Sequence, residues 1–254
     1  MHASEREALI LEAMAATGFV SCRALETRLG ASPATIRRDL TRLETQGRIA
    51  RVHGGARLVE SPQNLLGMPF DQSITLNLAA KRAIGKAAAA LCGPGEGVMI
   101  DGGTTTLQMC PHLAGLDCQV LTNSLHIVNA LLPQPGTRIL LPSGTVFREQ
   151  NIILAPAGED SMPRFHAPKL FMGAAAVGPQ GVMQTDVILV ASERRLIDRA
   201  DQIVLLVDSS KFVQSSGAIV CSLDEVDVLI TDAAVSEEAK TIVKRAGIQL
   251  VVAK

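Results

Sequence analysis

The sequence predicts two units: a small α+β unit of three short helices and a β-ribbon, then a larger α/β unit built on a parallel sheet. Three observations predict it. Charge is unevenly divided, with nine arginines against six acids in residues 1–57 and fifteen basic against nineteen acidic residues in the remainder. Turn-forming residues interrupt the periodicity at Glu60-Ser61-Pro62-Gln63-Asn64 and at Gly67-Met68-Pro69. Beyond them, short continuous apolar runs alternate with helical stretches, as in a sheet covered on both faces.

A chain of 254 residues that is 47% hydrophobic and 19% charged can build the cores of one small and one medium domain. No apolar run approaches the ~18 residues of a membrane span. Met1 to Glu5 lacks the charged-then-apolar pattern of a signal peptide, so a cytoplasmic chain with no membrane partner is expected. Cys22, Cys92, Cys110, Cys118 and Cys221 are odd in number and scattered, which suits buried small hydrophobes better than disulfides. Cys110-Pro111-His112 with Cys118 lacks the further pair that a zinc cage needs, and no metal or cofactor is implied.

The first helix is expected over Glu7 to Ala16, with Ile10 and Met14 on one face, and the second on Cys22, Leu25 and Leu29, ending at Gly30. The third begins at Ser32, a natural N-cap, with Pro33 at the first helical position, where its missing N–H costs nothing. Ile36, Leu40 and Leu43 form its apolar stripe and leave Thr35, Arg38 and Arg42 facing away, with Arg37 at the flank. Arg38 and Arg42 are like charges one turn apart, a repulsion that an anionic partner such as a phosphate backbone relieves. Gly47 ends the helix, and residues 48–57 alternate Ile49 and Val52 with basic residues before Gly54-Gly55 turns the chain into a two-stranded wing. Three helices and a wing make a winged helix-turn-helix. Its net charge of +3, carried entirely by arginine, suits phosphate and guanine. Any three helices with a basic face could instead be a solvated interaction module, but cap, stripe, outward arginines and wing agree on double-stranded DNA.

A linker is expected over residues 58–73 and a helix from about Ile74 to Leu91. Val98-Met99-Ile100 then runs into Asp101-Gly102-Gly103-Thr104-Thr105-Thr106, Val120-Leu121 into Thr122-Asn123-Ser124, and Ile139-Leu140-Leu141 into Pro142-Ser143-Gly144. Residues 203–207 run into Asp208-Ser209-Ser210-Lys211, and Val228-Leu229-Ile230 into Thr231-Asp232. Each run reads as a strand leading to a helical stretch. In open sheets of this kind ligands bind beyond the carboxyl ends of the strands, where these polar residues gather. Gly102 and Gly103 permit close backbone approach, and Thr104 to Thr106 open a helix whose free N–H groups favour an anion. This reads as a phosphate cradle, with a tight, ordinarily capped turn as the plainer alternative. Lys211 supplies countercharge. Arg148 either reaches the ligand or pairs with Glu149 or a neighbouring subunit.

The run Thr35-Ile36-Arg37-Arg38-Asp39-Leu40, with Leu43-Glu44, Gly47 and His53-Gly54-Gly55-Ala56, resembles the signature of DeoR-type bacterial regulators of sugar metabolism. More loosely, Asp101-Gly102-Gly103-Thr104-Thr105, Thr122-Asn123-Ser124, Phe171-Met172-Gly173 and Asp208-Ser209-Ser210-Lys211-Phe212 look like that family's effector domain, which is similar in fold to sugar-phosphate isomerases. The resemblance implies operator binding by a homo-oligomer, dimer or tetramer, usually to repress. It implies a phosphorylated sugar as effector, with Thr104 to Thr106 and Lys211 at the phosphate. Candidate DNA-contacting residues are Ser32, Thr35, Arg37, Arg38 and Arg42, with Arg51 and His53 in the wing. Candidate effector-binding residues are Asp101 to Thr106, Thr122, Asn123, Ser124, Arg148 and Lys211, that is, with Gly102, Gly103, Thr104 and Thr105 among them. Two departures stand out: Pro142-Ser143-Gly144 where many members have a Gly-Gly pair, and Ala191-Ser192-Glu193-Arg194-Arg195 in place of a Glu-Ala and Lys-Arg pattern. The expected domains are residues 1–57, DNA-binding, and 74–254, effector-binding and oligomerising. A rival reading is a sugar-phosphate isomerase-like enzyme carrying a DNA-binding domain, with Asp101, Asp208 and Asp232 available as acid or base. The fused DNA reader argues against it, and no catalytic residue is assigned.

Overall fold

Local capping starts the helices of the N-terminal unit where the sequence places them. The computed structural model describes residues 6, 7, 9–11, 13, 19–45, 49–52, 55–58, 70–154, 162–213 and 217–254, and residues 6, 7, 9–11 and 13 are helical. A short strand β1 (Phe19–Ser21) runs into α1 (Cys22–Leu29), where the Ser21 hydroxyl accepts the Ala24 N–H at 3.2 Å and Gly30 closes the helix at φ 59°. The next helix, α2, spans Pro33–Thr45. Strands β2 (Ile49–Val52) and β3 (Gly55–Leu58) pair antiparallel as the expected wing. The wing is not two-stranded, however: β1 adds to β3, giving the order β1-β3-β2. Ile10, Leu25, Ile36, Leu40, Leu43 and Ile49 fill the core of this unit. Asp39 is buried among them, and the Arg6 guanidinium donates to both its oxygens at 2.8 and 3.2 Å, the kind of pairing that burial of a carboxylate requires.

The chain divides into two compact units, Met1–Leu66 and Gly67–Lys254. Most of the expected linker, residues 59–69, lies outside the described residues, while Phe70–Ser73 form a helical turn, α3. The helix expected from Ile74 begins later, as α4 (Leu78–Ala89), after Asn77 in the left-handed region at φ 51°.

Seven strands make the second unit's main sheet: β4 (Gly97–Ile100), β5 (Gln119–Leu121), β6 (Arg138–Leu140), β9 (Ala167–Met172), β12 (Ala200–Leu206), β14 (Val228–Asp232) and β15 (Gln249–Ala253). Their order is β15-β14-β12-β9-β4-β5-β6, and every pairing is parallel. Alternation sorts the apolar runs onto two faces. Val98, Ile100, Val120, Phe171, Val204 and Leu206 meet Ile84 and Ala88 of α4 and Ile127 and Leu131 of α5 (Leu125–Leu131). Met99, Leu121, Leu170, Met172 and Leu205 meet Leu196 of α6 (Val187–Ile197) and Val243 of α7 (Glu237–Arg245).

The strand-then-helix theme fails twice. After β6 the chain makes a hairpin, β7 (Thr145–Phe147) with β8 (Ile152–Leu154), whose second strand lies against the loop after β5 through an Ile153 N–H to Asn123 O bond of 2.7 Å. A separate antiparallel sheet of β10 (Ala176–Gly178), β11 (Gly181–Gln184) and β13 (Ala218–Cys221) sits on the second face. The central strand β9 was not expected, because Pro168 and Lys169 interrupt its apolar run. Pro168 precedes the first β9 residue paired with β4, Lys169 opposite Val98, so its missing N–H falls before that ladder begins, and Lys169 reaches Glu96 at 2.5 Å.

Candidate functional site

On α2 the buried stripe of Ile36, Leu40 and Leu43 fixes which side chains face out. Ser32 Oγ accepts the Thr35 N–H at 3.3 Å and lies 2.9 Å from Thr35 Oγ1, so both hydroxyls close the helix start. Ala34, Arg37, Arg38, Thr41 and Arg42 are exposed and line a shallow hollow along the helix. The expected Arg38–Arg42 repulsion is partly relieved from within, since Arg42 donates to Glu7 at 2.9 Å. Arg37 and Arg38 have no ion-pair partner among the described residues. Arg51 lies in β2, and His53 lies outside the described residues.

The carboxyl ends of the parallel strands carry the second set of candidates. Asp101, at the end of β4, is buried, and Thr106 Oγ1 donates to its main-chain carbonyl at 2.8 Å and to that of Gly103 at 3.0 Å. Thr106 therefore locks the turn. The helix it opens is a single 3₁₀ segment of seven residues, Thr106–His112, with Pro111 inside it and no side-chain cap, so the expected α-helical N-terminus is shorter and less ordered in its dipoles. Gly85 lets α4 approach this segment: a Cβ there would stand 2.5 Å from the Gln108 carbonyl carbon. Gly102 is required by crowding, since its Cβ would meet Ile152 Cγ2 at 2.8 Å. Thr122 and Ser124 are also engaged locally, Thr122 Oγ1 accepting the Ser124 N–H at 3.1 Å and Ser124 Oγ capping α5 at Ile127 N, 3.4 Å. Arg148 is exposed in the turn of the β7–β8 hairpin.

Lys211 lies in a short 3₁₀ turn, Ser209–Phe212, capped by Asp208. Asp208 Oδ1 accepts from Asn77 Nδ2 at 3.0 Å and from the Ser210 N–H at 3.1 Å and hydroxyl. Asp232 takes the Ser209 N–H at 2.6 Å and hydroxyl at 3.0 Å and the Ala234 N–H at 3.1 Å, so it too organises loops. Lys81 of α4 arrives at the same place. Its buried ammonium donates to Ser73 O at 2.6 Å and Ser73 Oγ is 3.4 Å from Thr104 Oγ1. Burial lowers the Lys81 pKa, the Asp208 charge raises it, and the Lys211 charge lowers it again.

A second polar knot lies beside the first. Burial pushes the Asp101 carboxyl up to about 6 against the Gly102 N–H and Asn123 side chain, which favour its charged form. Glu193 of α6 is buried as well, and burial first, then the Asp101 charge, raise its pKa well above the ordinary value despite the Gln184 bond. Gln184 Nε2 donates to Glu193 Oε1 at 2.6 Å, and Asn123 Nδ2 to Ser192 Oγ at 3.3 Å.

The comparisons with known proteins divide the chain as the geometry does. The DeoR-like helix-turn-helix domain matches residues 6–62, and the DeoR C terminal sensor domain matches residues 76–233. The chain belongs to the DeoR family. The HTH-type transcriptional regulator UlaR of Shigella dysenteriae serotype 1 (strain Sd197) is 32% identical over 232 residues, covering 91% of both proteins. UlaR of Escherichia coli (strain K12 / DH10B) matches with the same identity and coverage. Among solved structures, the full-length sorbitol operon regulator SorC from Klebsiella pneumoniae aligns over 96% of this chain and 99% of its own at 10% identity and a TM-score of 0.41. Ribose 5-phosphate isomerase A from Methanocaldococcus jannaschii aligns over 54% and 55% at 16% identity and a TM-score of 0.40. This DeoR-family transcriptional regulator thus joins a DNA-binding unit to a sensor unit, and none of its described helices is long and apolar enough to cross a membrane.

Sequence reasoning missed three residues of the DeoR-type sensor unit, Lys81, Gln184 and Glu193. Two had a signal. Lys81 precedes Ile84 and Ala88 by three and seven residues, and Glu193 follows Leu189 by four and precedes Leu196 by three, so each puts a charge on a buried helical stripe.

Proposed function

We propose that this chain is a cytoplasmic, operator-binding repressor of a sugar-catabolism operon, whose DNA affinity is set by a phosphorylated sugar held at the carboxyl ends of β4, β5 and β12. One observation carries the reading: Lys211 and Asp208 lie close enough for their charges to act on Lys81, two cations against one carboxylate, and Lys81 holds Ser73, whose hydroxyl is 3.4 Å from Thr104 Oγ1. Like charges gathered in a half-buried site are relieved by a polyanion, and a phosphate dianion with two or three acceptor oxygens suits ammonium and hydroxyl donors. The names of the curated relatives support the DNA-binding half. Exposed Arg37 and Arg38 supply its phosphate and base contacts, with Thr35 and Arg42 on the same helix and Arg51 and His53 as further candidates, in a dimer or tetramer of this chain.

The signal passes through α3. Lys81 and Thr104 hold Ser73, so a phosphate that engages them loosens α3, the first described element of the sensor unit. The test is selection of bound sites from random duplex DNA with the full-length protein, followed by fluorescence anisotropy on the selected duplex with and without a series of sugar phosphates. A sugar phosphate that changes DNA affinity and is recovered intact supports the proposal. No enriched sequence, or no effect of any sugar phosphate, overturns it.

The buried pair Asp101 and Glu193 favours a second reading, acid–base chemistry on a sugar phosphate. Product formation followed by NMR decides between the two.

A further inference from the structure

Where the loop after β5 touches α6, two buried side-chain oxygens have no hydrogen-bond partner among the described residues: Asn123 Oδ1 and Glu193 Oε2. Both residues are at least nine-tenths buried. Each uses its other polar atom on the protein, Asn123 Nδ2 reaching Ser192 Oγ at 3.3 Å and Glu193 Oε1 receiving Gln184 Nε2 at 2.6 Å. Buried polar atoms are normally satisfied, and two orphans in one cluster mark a place for a further group.

The chemistry of that group follows from what the two atoms offer. Burial and the neighbouring Asp101 charge favour the neutral acid of Glu193. Because Gln184 donates to Oε1, the acid proton belongs on Oε2. Asn123 then presents an acceptor and Glu193 a donor. A hydroxyl answers both, since it donates one hydrogen bond and accepts another. An ammonium would leave the acid proton unmatched, and a carbonyl would leave the Asn123 oxygen unmatched.

We infer that Asn123 and Glu193 read a hydroxyl on the carbon chain of the ligand whose phosphate is taken up beside Lys81 and Lys211. The inference rests on the sugar-phosphate reading above and adds the residues that select among sugar phosphates. Asp101 and Gln184 position the pair, Asp101 through its bond with Asn123 and its charge, Gln184 by occupying Glu193 Oε1. Only Gly102 and Gly103 separate Asp101 from Thr104, so one loop serves both ends of such a ligand.

Titration calorimetry on the full-length protein with inorganic phosphate, erythrose 4-phosphate, ribose 5-phosphate, fructose 6-phosphate and glucose 6-phosphate tests it. If none of the four sugars binds the parent more tightly than phosphate itself, the sugar-phosphate reading fails and takes this inference with it. For any sugar that does, Glu193→Met is expected to weaken binding by about tenfold or more while phosphate binding stays the same. Glu193→Gln, whose amide offers an oxygen to Gln184 and an N–H in place of the acid O–H, is expected to retain most of the affinity. Asn123→Ser, which shortens the acceptor out of reach, should lose as much as Glu193→Met, and carries the test if the latter does not fold. The double variant should lose little more than either alone, because one hydroxyl is shared. Equal losses for phosphate and sugar phosphate would reduce the pair to a structural role. Unchanged sugar-phosphate binding would leave the two atoms to a trapped water, and either result overturns the inference.

Discussion

The ammonium of Lys81 donates to the main-chain carbonyl of Ser73 at 2.6 Å, so the cation assigned to a ligand phosphate also holds the last residue of α3. The same turn is fixed at its other end. Phe70 is buried, its ring stacked on His126 with centroids 3.8 Å apart, and His126 Nε2 lies 3.1 Å from Asn151 Nδ2. A ligand oxyanion competing for Lys81 would act on a segment with one fixed end and one releasable end.

Phe70→Ala should remove the fixed end. Truncating a buried Phe costs about 3–5 kcal/mol in a core, but here much of the loss falls on docking a single turn. The sensor unit should stay folded and bind the sugar phosphate at least as tightly as the parent, since the turn that competes for Lys81 is freed, while ligand-dependent change in DNA affinity is lost. Calorimetry and anisotropy on the same variant check this, and a normal DNA response would remove α3 from the signal path.

On the DNA face, two neighbouring substitutions should behave oppositely. Arg38→Ala is expected to leave the melting temperature unchanged, weaken operator binding and reduce the salt slope by about one unit. Asp39→Ala leaves Arg6 without the carboxylate it binds at 2.8 and 3.2 Å, and should lower the melting temperature of the N-terminal unit. Its residual DNA binding should keep the parent's salt slope.

The recognition helix was legible because its determinants are local: Ser32, Pro33 and the Ile36, Leu40, Leu43 spacing lie within a dozen residues. The sheet's strand ends were legible for a similar reason, each apolar run stopping at small polar residues. Strand β9 was not, because Pro168 and Lys169 hide it and its central place depends on distant pairing with β4 and β12. Lys81 shares α4 with Arg82 and Lys86, and only the phase set by Ile84 and Ala88 tells which cation is buried. Glu193 needed tertiary information as well, since nothing near it in sequence names Asn123 or Asp101 as a neighbour.

Asp101 should make stability depend on pH in a sense opposite to a salt-bridged carboxylate. Its pKa rises on folding from 3.8 to about 6, chiefly by burial, so the native state holds the proton more tightly than the unfolded chain. That contribution is fully present below about pH 4 and is lost as pH rises through about 6. Asp101→Asn keeps a neutral side chain throughout. It should match the parent near pH 4 and exceed it by on the order of 2–3 kcal/mol above pH 7 in urea unfolding. A difference that does not vary with pH would contradict the assignment.

Lys211 offers the sharpest separation of sensing from DNA binding. It lies in the Ser209–Phe212 turn of the sensor unit, and its charge acts on Lys81. For a ligand there to work as a switch, it must bind the DNA-competent and DNA-incompetent arrangements with different affinity, and a hundredfold effect on operator binding needs about 2.7 kcal/mol of coupling. Coupling is reciprocal, so operator DNA must shift the affinity for the sugar phosphate by the same factor. Lys211→Ala removes one of the two cations without touching α2. Operator binding by the ligand-free variant should therefore match the parent, whereas its sugar-phosphate affinity and DNA response should both fall. Titrating operator and ligand against parent and variant in both orders yields all four affinities. A variant that responds like the parent would take Lys211 out of the site, and a parent whose two coupling factors differ would mean that the ligand is being consumed.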